Sequence, residues 1–283
     1  MAIKAGIVLL SIALGALALP APESDDVSSF FQNVDSNARI VGGTQAADGA
    51  HPHMVALTSG RILTSFSCGG SVIGLRSILT AAHCIDAHFS FGSLSSSLRV
   101  TVGTNVWRSG GDTYRLSGNA THPNYVSSLI KNDLGIMYTS SAINYTPRVR
   151  PVALNFDFIG GGVTAKAAGW GRISATGSLP SSLLELTVST VEGEKCVSDV
   201  DQGGIDFNIR HPGVQPHIEL CTAHANGIGY GMCRGDSGSA LLDVESSRQI
   251  GIVSWGLPCA LGAPDMFVRV SAYESWLTQN IRN

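Results

Sequence analysis

The chain has 283 residues, 44% of them hydrophobic and 14% charged, with a formal net charge of −3 at pH 7. Charge is close to balanced and no basic cluster occurs, which excludes nucleic acid and anionic membrane surfaces as partners.

Residues 1–18 read as a secretory signal. Lys4 supplies the positive start, Ile7–Leu19 is an apolar run, and Ala16-Leu17-Ala18 is a small-x-small cleavage site. At about a dozen residues the run is too short to cross a bilayer core of roughly 30 Å as a helix, and no later stretch approaches that length, so the mature protein is expected to be soluble. Residues 19–39 are polar, acidic (Glu23, Asp25, Asp26, Asp35) and free of cysteine. They read as a propeptide ending at Arg39, where cleavage frees Ile40 as a new N-terminus. Lacking a cysteine, this segment should leave entirely and is not a disulfide-knotted regulatory module. The remaining 244 residues, Ile40 to Asn283, suffice for a large core.

Short apolar stretches then recur between Gly-, Ser- and Pro-rich turns: Met54–Leu57, Ser71–Ile73, Ile78–Ala81, Leu98–Val102, Leu134–Tyr138, Thr164–Ala168, Leu183–Val188, Ser239–Leu242, Gly251–Ser254 and Met266–Val270. All are strand-length and many are rich in Val and Ile, the pattern of an all-β sandwich or barrel. Helical spacing emerges only over Ser271–Ile281, where Tyr273, Trp276, Leu277 and Ile281 would dock one face. Six cysteines in a secreted chain point to three disulfides, with 15 pairings open from spacing alone. No Cys-x-x-Cys or His-x-x-x-His spacing supports a metal site.

The chemistry is concentrated in four short motifs. Thr80-Ala81-Ala82-His83-Cys84, Asn132-Asp133-Leu134 and Gly235-Asp236-Ser237-Gly238 supply an imidazole, a carboxylate and a hydroxyl in that order, and Arg39-Ile40-Val41-Gly42-Gly43 stands ahead of them. A serine hydroxyl is a weak nucleophile until an imidazole takes its proton, and that imidazole needs a carboxylate to fix its tautomer. Elsewhere His51, His53, His122, His217 and the remaining histidines lack such context and read as surface or turn residues. Asp133 opens an apolar strand, where an acid is costly unless partnered.

These four motifs together resemble the chymotrypsin-like serine endopeptidase family, in particular its insect chymotrypsin and brachyurin (crab-collagenase-like) branch, from Ile40 to the C-terminus. The resemblance implies two six-stranded antiparallel β-barrels with a C-terminal helix, over 40–150, 151–270 and 271–283, and an active site in the cleft between the barrels. It implies catalysis by His83, Asp133 and Ser237, an oxyanion hole from the amides of Gly235 and Ser237, and insertion of the Ile40 ammonium beside Asp236. It selects the disulfides Cys68–Cys84, Cys196–Cys221 and Cys233–Cys259. Two departures stand out: Gly135 where alanine is usual, and Ser239-Ala240 where Gly-Pro is usual.

Specificity is less orthodox. Ser254-Trp255-Gly256 resembles the strand that pairs with an extended substrate, and Gly231, followed by Met232, occupies the pocket base where trypsin-like members carry aspartate. Asp265 stands where most relatives have glycine. A carboxylate entering an apolar pocket must find a cation, find donors or take up a proton. Glycine at the base with Asp265 on the second wall resembles the brachyurin branch, which cleaves after aromatic, aliphatic and basic residues. The other reading is that Asp265 bonds backbone and leaves a chymotrypsin-like preference.

The loop Thr104-Asn105-Val106 lacks the paired glutamates of calcium-binding relatives, so neither metal nor cofactor is expected. Asn119-Ala120-Thr121 and Asn144-Tyr145-Thr146 are glycosylation sequons, the second followed by Pro147. The mature part holds 13 arginines against three lysines (Lys131, Lys166, Lys195). Arginine stays charged far above the lysine pKa of about 10.4, so this bias suits an alkaline gut lumen, with compositional drift as the other explanation. The expected protein is a secreted, monomeric digestive endopeptidase made as a zymogen. Its expected partners are protein or peptide substrates, an activating trypsin-like protease and protein protease inhibitors. A haemolymph or immune regulatory protease and a non-catalytic homologue acting as a binding protein are the rival readings.

Overall fold

The computed structural model describes residues 42–283 apart from 61–62, 174–176 and 258. The signal, the propeptide, Arg39 and Ile40 lie outside the described residues.

A two-residue strand β1 (Thr44–Gln45) precedes the first barrel. That barrel contains β2 (Met54–Ser59), β3 (Ser65–Gly74), β4 (Ser77–Thr80), β7 (Arg99–Val102), β8 (Asp112–Thr121) and β9 (Gly135–Thr139), closed in the order β2-β3-β4-β9-β8-β7. A short helix α1 (Ala82–Asp86) and a hairpin of β5 (Phe89–Ser90) and β6 (Ser93–Leu94) lie between β4 and β7. The strands β4 and β9 are buried along their whole length. They therefore appear in the sequence as continuous apolar runs rather than alternations. Gly135 opens β9 under Ile85: a Cβ there would lie 2.4 Å from Ile85 Cδ1. The larger Ile85 side chain takes the space an alanine methyl would need.

The second barrel contains β10 (Thr164–Gly169), β11 (Leu184–Val191), β12 (Glu219–Ala223), β13 (Ala240–Asp243), β14 (Gln249–Gly256) and β15 (Asp265–Arg269). They run β11-β10-β13-β14-β15-β12 and close through β11 and β12, with β1 added on the outer edge of β11. In β11, Leu186, Val188 and Thr190 point inward while Thr187 and Ser189 face solvent, the period of two expected of a half-buried strand. Both barrels are antiparallel and six-stranded.

Each barrel has its own core. Val55, Leu57, Val72, Ile78, Val100 and Ile136 fill the first; Ala165, Leu186, Leu241, Ile250 and Phe267 fill the second. The C-terminal segment is a 3₁₀ turn (Val270–Tyr273) leading into helix α3 (Glu274–Asn280). Its Tyr273 and Leu277 are buried in the core of the first barrel, and Tyr138 Oη donates to Asn280 O at 2.9 Å. The end of the chain thus straps the second barrel to the first.

Helix α2 (Gly193–Asp206) was not legible in the sequence. It is capped by Glu192, whose Oε2 accepts from the Glu194 and Lys195 amides at 3.0 and 3.1 Å. Its buried side consists of Cys196, Val200, Gly203 and Gly204, and the paired glycines read locally as helix breakers. Close packing explains the glycines: a Cβ at Gly203 would lie 2.6 Å from Leu257. The disulfides join Cys68 to Cys84, Cys196 to Cys221 and Cys233 to Cys259.

Candidate active site

Three of the sequence motifs converge where the two barrels meet. His83 sits in the first turn of α1, directly after β4, and the Cys68–Cys84 bridge ties that turn to β3. Asp133 precedes β9, which pairs with β4. Ser237 comes from the second barrel, in the loop between β12 and β13. Its carbonyl accepts from Gly69 N on β3 at 2.8 Å, which fixes the loop against the first barrel. Gly238 adopts φ +81°, and a Cβ there would lie 2.2 Å from Thr80 Oγ1. Only glycine lets the serine loop approach the strand leading to His83 so closely.

Asp133 is fully buried and its two oxygens accept three hydrogen bonds. Oδ1 accepts the His83 amide at 2.9 Å, and Oδ2 accepts His83 Nδ1 at 2.7 Å and Ser254 Oγ at 2.6 Å. A carboxylate can only accept, so the imidazole proton sits on Nδ1 and Nε2 is left with its lone pair. Burial opposes charge on His83, but the charge and hydrogen bond of Asp133, with Asp86 adding to them, hold its pKa above the ordinary value. The ring is therefore oriented, in the basic tautomer, and a stronger base than free histidine. No hydrogen bond joins Ser237 Oγ to the ring among the described residues; in unliganded sites this contact is commonly long. Ser254, read from the sequence only as part of a substrate strand, reaches from the second barrel to Asp133 of the first. Its partner lies 121 residues away, so no local signal could have marked it.

The loop before Ser237 is turned by Gly235 at φ +103°. Among the described residues the N–H groups of Gly235 and Ser237 have no hydrogen-bond partner. Asp236 between them is fully buried, with Oδ1 accepting from Gly171 N at 2.8 Å and Oδ2 from Cys233 N at 3.0 Å. Burial, opposed by those two amides, pushes its pKa up to about 7. Gly42, two residues beyond Ile40, is packed against the Tyr230 ring, where a Cβ would come within 2.0 Å.

The remaining sequence candidates cluster beside this loop. Asp265 opens β15 opposite Gly256 of β14. A Cβ at Gly231 would lie 2.7 Å from its Oδ2, and one at Gly256 3.4 Å from its Oδ1. The same Oδ2 accepts the Met232 amide at 2.8 Å. Asp265 thus bonds backbone at Met232 and lies beside both Gly231 and Gly256. Burial is the main influence on its carboxyl; the Met232 amide opposes it, Asp236 adds to it, and the result is a pKa of about 8. Cys68, His83 and Cys84 are the one group of potential metal ligands among the described residues, and the two cysteines are already joined to each other.

Comparison with known proteins agrees with this geometry. The Trypsin family model matches residues 40–277. The chain belongs to the trypsin family of chymotrypsin-like serine proteases. Chymotrypsin-2 of Vespa crabro is 35% identical over 242 residues, covering 85% of this chain and 99% of its own length. Trypsin beta of Drosophila erecta is 30% identical over 276 residues, covering 97% of this chain and 98% of its own. Trypsin alpha-4 of Lucilia cuprina is 31% identical over 243 residues, covering 85% and 87%. Relatives named as chymotrypsins and as trypsins therefore both resemble this family member, which leaves the pocket itself to decide its specificity. No helix among the described residues is long and apolar enough to cross a membrane.

Proposed function

We propose that this protein is a secreted serine endopeptidase, made as a zymogen, that hydrolyses peptide bonds through Ser237, His83 and Asp133. The observation that carries this reading is the threefold hold on Asp133, which leaves His83 oriented and its Nε2 available as a base. Ser237 Oγ attacks the scissile carbonyl carbon while His83 Nε2 takes its proton. The oxygen, now an anion, is held by the N–H groups of Gly235 and Ser237, where one donor is worth about 10²–10³ in rate. Collapse expels the amine with the proton from His83 and leaves an ester on Ser237. Water, deprotonated by the same imidazole, then releases the acid.

Activation follows cleavage after Arg39 by a trypsin-like protease, when the Ile40 ammonium pairs with Asp236. What supports this is the buried Asp236 carboxylate, which accepts from two backbone amides and has no cationic partner among the described residues. For specificity we favour the brachyurin-like pocket, with Gly231 and Gly256 admitting large apolar side chains and Asp265 receiving Lys or Arg. A digestive role in an alkaline gut lumen fits the arginine bias. Protein protease inhibitors would bind the same cleft of a monomeric enzyme.

The test is a fluorophosphonate probe applied before and after cleavage at Arg39. Labelling at Ser237 only after cleavage, lost in Ser237→Ala and His83→Ala, is the expected result. Cleaved chain that neither labels nor hydrolyses casein would instead make it a non-catalytic homologue.

A further inference from the structure

A second buried cluster links the Asp133 loop to the substrate strand. Lys131, two residues before Asp133, is almost wholly buried, and its Nζ donates to both oxygens of Glu219 at 2.7 Å and to Gly213 O at 2.6 Å. Glu219, on β12 of the other barrel, is equally buried. Its Oε1 also accepts Trp255 Nε1 at 2.8 Å and its Oε2 the Gln215 amide at 2.7 Å. The Lys131 ammonium lies 5.1 Å from the centre of the Trp255 ring. Glu219 therefore joins the 130–133 loop, the 213–219 loop and β14.

The backbone around Lys131 needs such an anchor. Ile130 and Asn132, on either side, have φ of +49° and +52°. That region is unfavourable for L-residues and most of all for a β-branched one. Such conformations persist only where the surroundings over-determine them. Tyr273 Oη donates to Asn132 Oδ1 at 3.0 Å, Ile130 is buried against Trp255 and Leu257, and the charged pair holds Lys131 between them. A buried ion pair is a poor source of net stability compared with apolar packing, and its best-attested use is to fix one arrangement among several.

We propose that Lys131 and Glu219 are positioning residues, an ion pair across the barrel junction that sets Asp133 and Trp255 relative to each other. One end acts through Asp133 on the orientation of His83; the other fixes the buried Trp255 within the Ser254–Gly256 strand read above as pairing with an extended substrate. This rests on the reading of Asp133 and Trp255 given above. The consequence is that substrate pairing along that strand and the efficiency of the imidazole are coupled. Substrates long enough to pair along that strand depend on the ion pair more than short ones.

The test compares Lys131→Met, Lys131→Arg and the double variant Lys131→Met/Glu219→Gln with the unaltered, Arg39-cleaved enzyme. The substrates are a blocked tetrapeptide amide and a blocked single-residue amide sharing the same terminal residue. For Lys131→Met, kcat on the tetrapeptide is expected to fall 10- to 100-fold, with KM changing less than threefold. Its ratio of kcat/KM between tetrapeptide and single residue should fall at least fivefold, and the acid limb of the kcat/KM profile should shift. The double variant keeps an acceptor for Trp255 but should not regain the lost kcat. Lys131→Arg, which keeps the charge with a different reach, is expected to fold and to lose kcat on the tetrapeptide by about threefold to tenfold. Should Lys131→Met not fold, the Arg variant decides alone. Unchanged kcat, length ratio and acid limb in the folded variants would overturn the proposal and leave the pair a purely structural contact. Absence of fluorophosphonate labelling in the unaltered cleaved enzyme would instead sink the peptidase reading beneath it.

Discussion

Asp265 stands so close to Gly231 that a Cβ on the glycine would lie 2.7 Å from Asp265 Oδ2. A carboxylate at that distance, with a single amide donor from Met232, is poised between its neutral and charged forms. Its pKa of about 8, set chiefly by burial, makes the proposed specificity depend on pH. Between pH 7 and 9 the ionised fraction of such a group rises about tenfold. The ratio of kcat/KM for Arg over Phe peptides should therefore rise by about that factor over the same interval. In Asp265→Asn the Arg activity should collapse and the rise vanish, while Phe and Leu cleavage stays within about threefold. A flat ratio in the unaltered enzyme would reduce Asp265 to a backbone acceptor.

Asp236 gives a prediction about activation. Its carboxyl is raised by burial to about 7 in the uncleaved chain, against an unfolded value near 3.9. A raised acid leaves stability intact below the unfolded pKa and removes it as pH climbs through the folded one. The uncleaved chain should thus lose up to about 4 kcal/mol between pH 4 and pH 7 from this group. After cleavage, the Ile40 ammonium would keep Asp236 charged and oppose that loss. The difference in Tm between cleaved and Arg39→Gln protein should widen from pH 4 to 7. It should narrow again above about pH 8 as the amine loses its proton. Parallel Tm profiles would rule out the pairing.

What the sequence shows and hides follows from how local each signal is. The strands were legible because runs such as Ile78–Ala81 and Leu134–Tyr138 are buried on both faces, and the motifs at His83, Asp133 and Ser237 because they are contiguous. Helix α2 escaped because its packing surface is made partly of Gly203 and Gly204, chosen for closeness rather than hydrophobicity. The strand β1 pairs with the second barrel although it precedes the first, a register no periodicity records. Lys131 and Glu219 look like ordinary surface charges until the fold brings them together across 88 residues.

His53 should control acid tolerance. It is buried at the start of the first barrel, and burial, with His51 5.8 Å away ring to ring, lowers its pKa to about 3. A depressed histidine contributes stability above the unfolded value of about 6.5, and loses it as pH falls toward the folded one. The full contribution is on the order of 5 kcal/mol. Replacing it by an apolar ring of similar size, His53→Phe, should move the acid-unfolding midpoint to lower pH by at least half a unit. Circular dichroism against pH would show this, and an unmoved midpoint would place acid unfolding elsewhere.

Ser239 offers the opposite case, a polar atom the fold leaves unused. Its hydroxyl is fully buried, has no hydrogen-bond partner among the described residues, and lies 2.0 Å from where a Cβ on Gly69 would stand. A buried hydroxyl without a partner costs about 1–3 kcal/mol. Ser239→Ala removes the oxygen while keeping the β-carbon and the backbone bonds to Asp236 and Val253. The variant should gain about 1–2 kcal/mol, raising Tm by roughly 2–6 °C for a chain of this size. Its kcat/KM should stay within about twofold, because the amides of Gly235 and Ser237 keep their places. A fall in Tm would mean that the hydroxyl has found a partner, such as a bound water bridging it to the backbone.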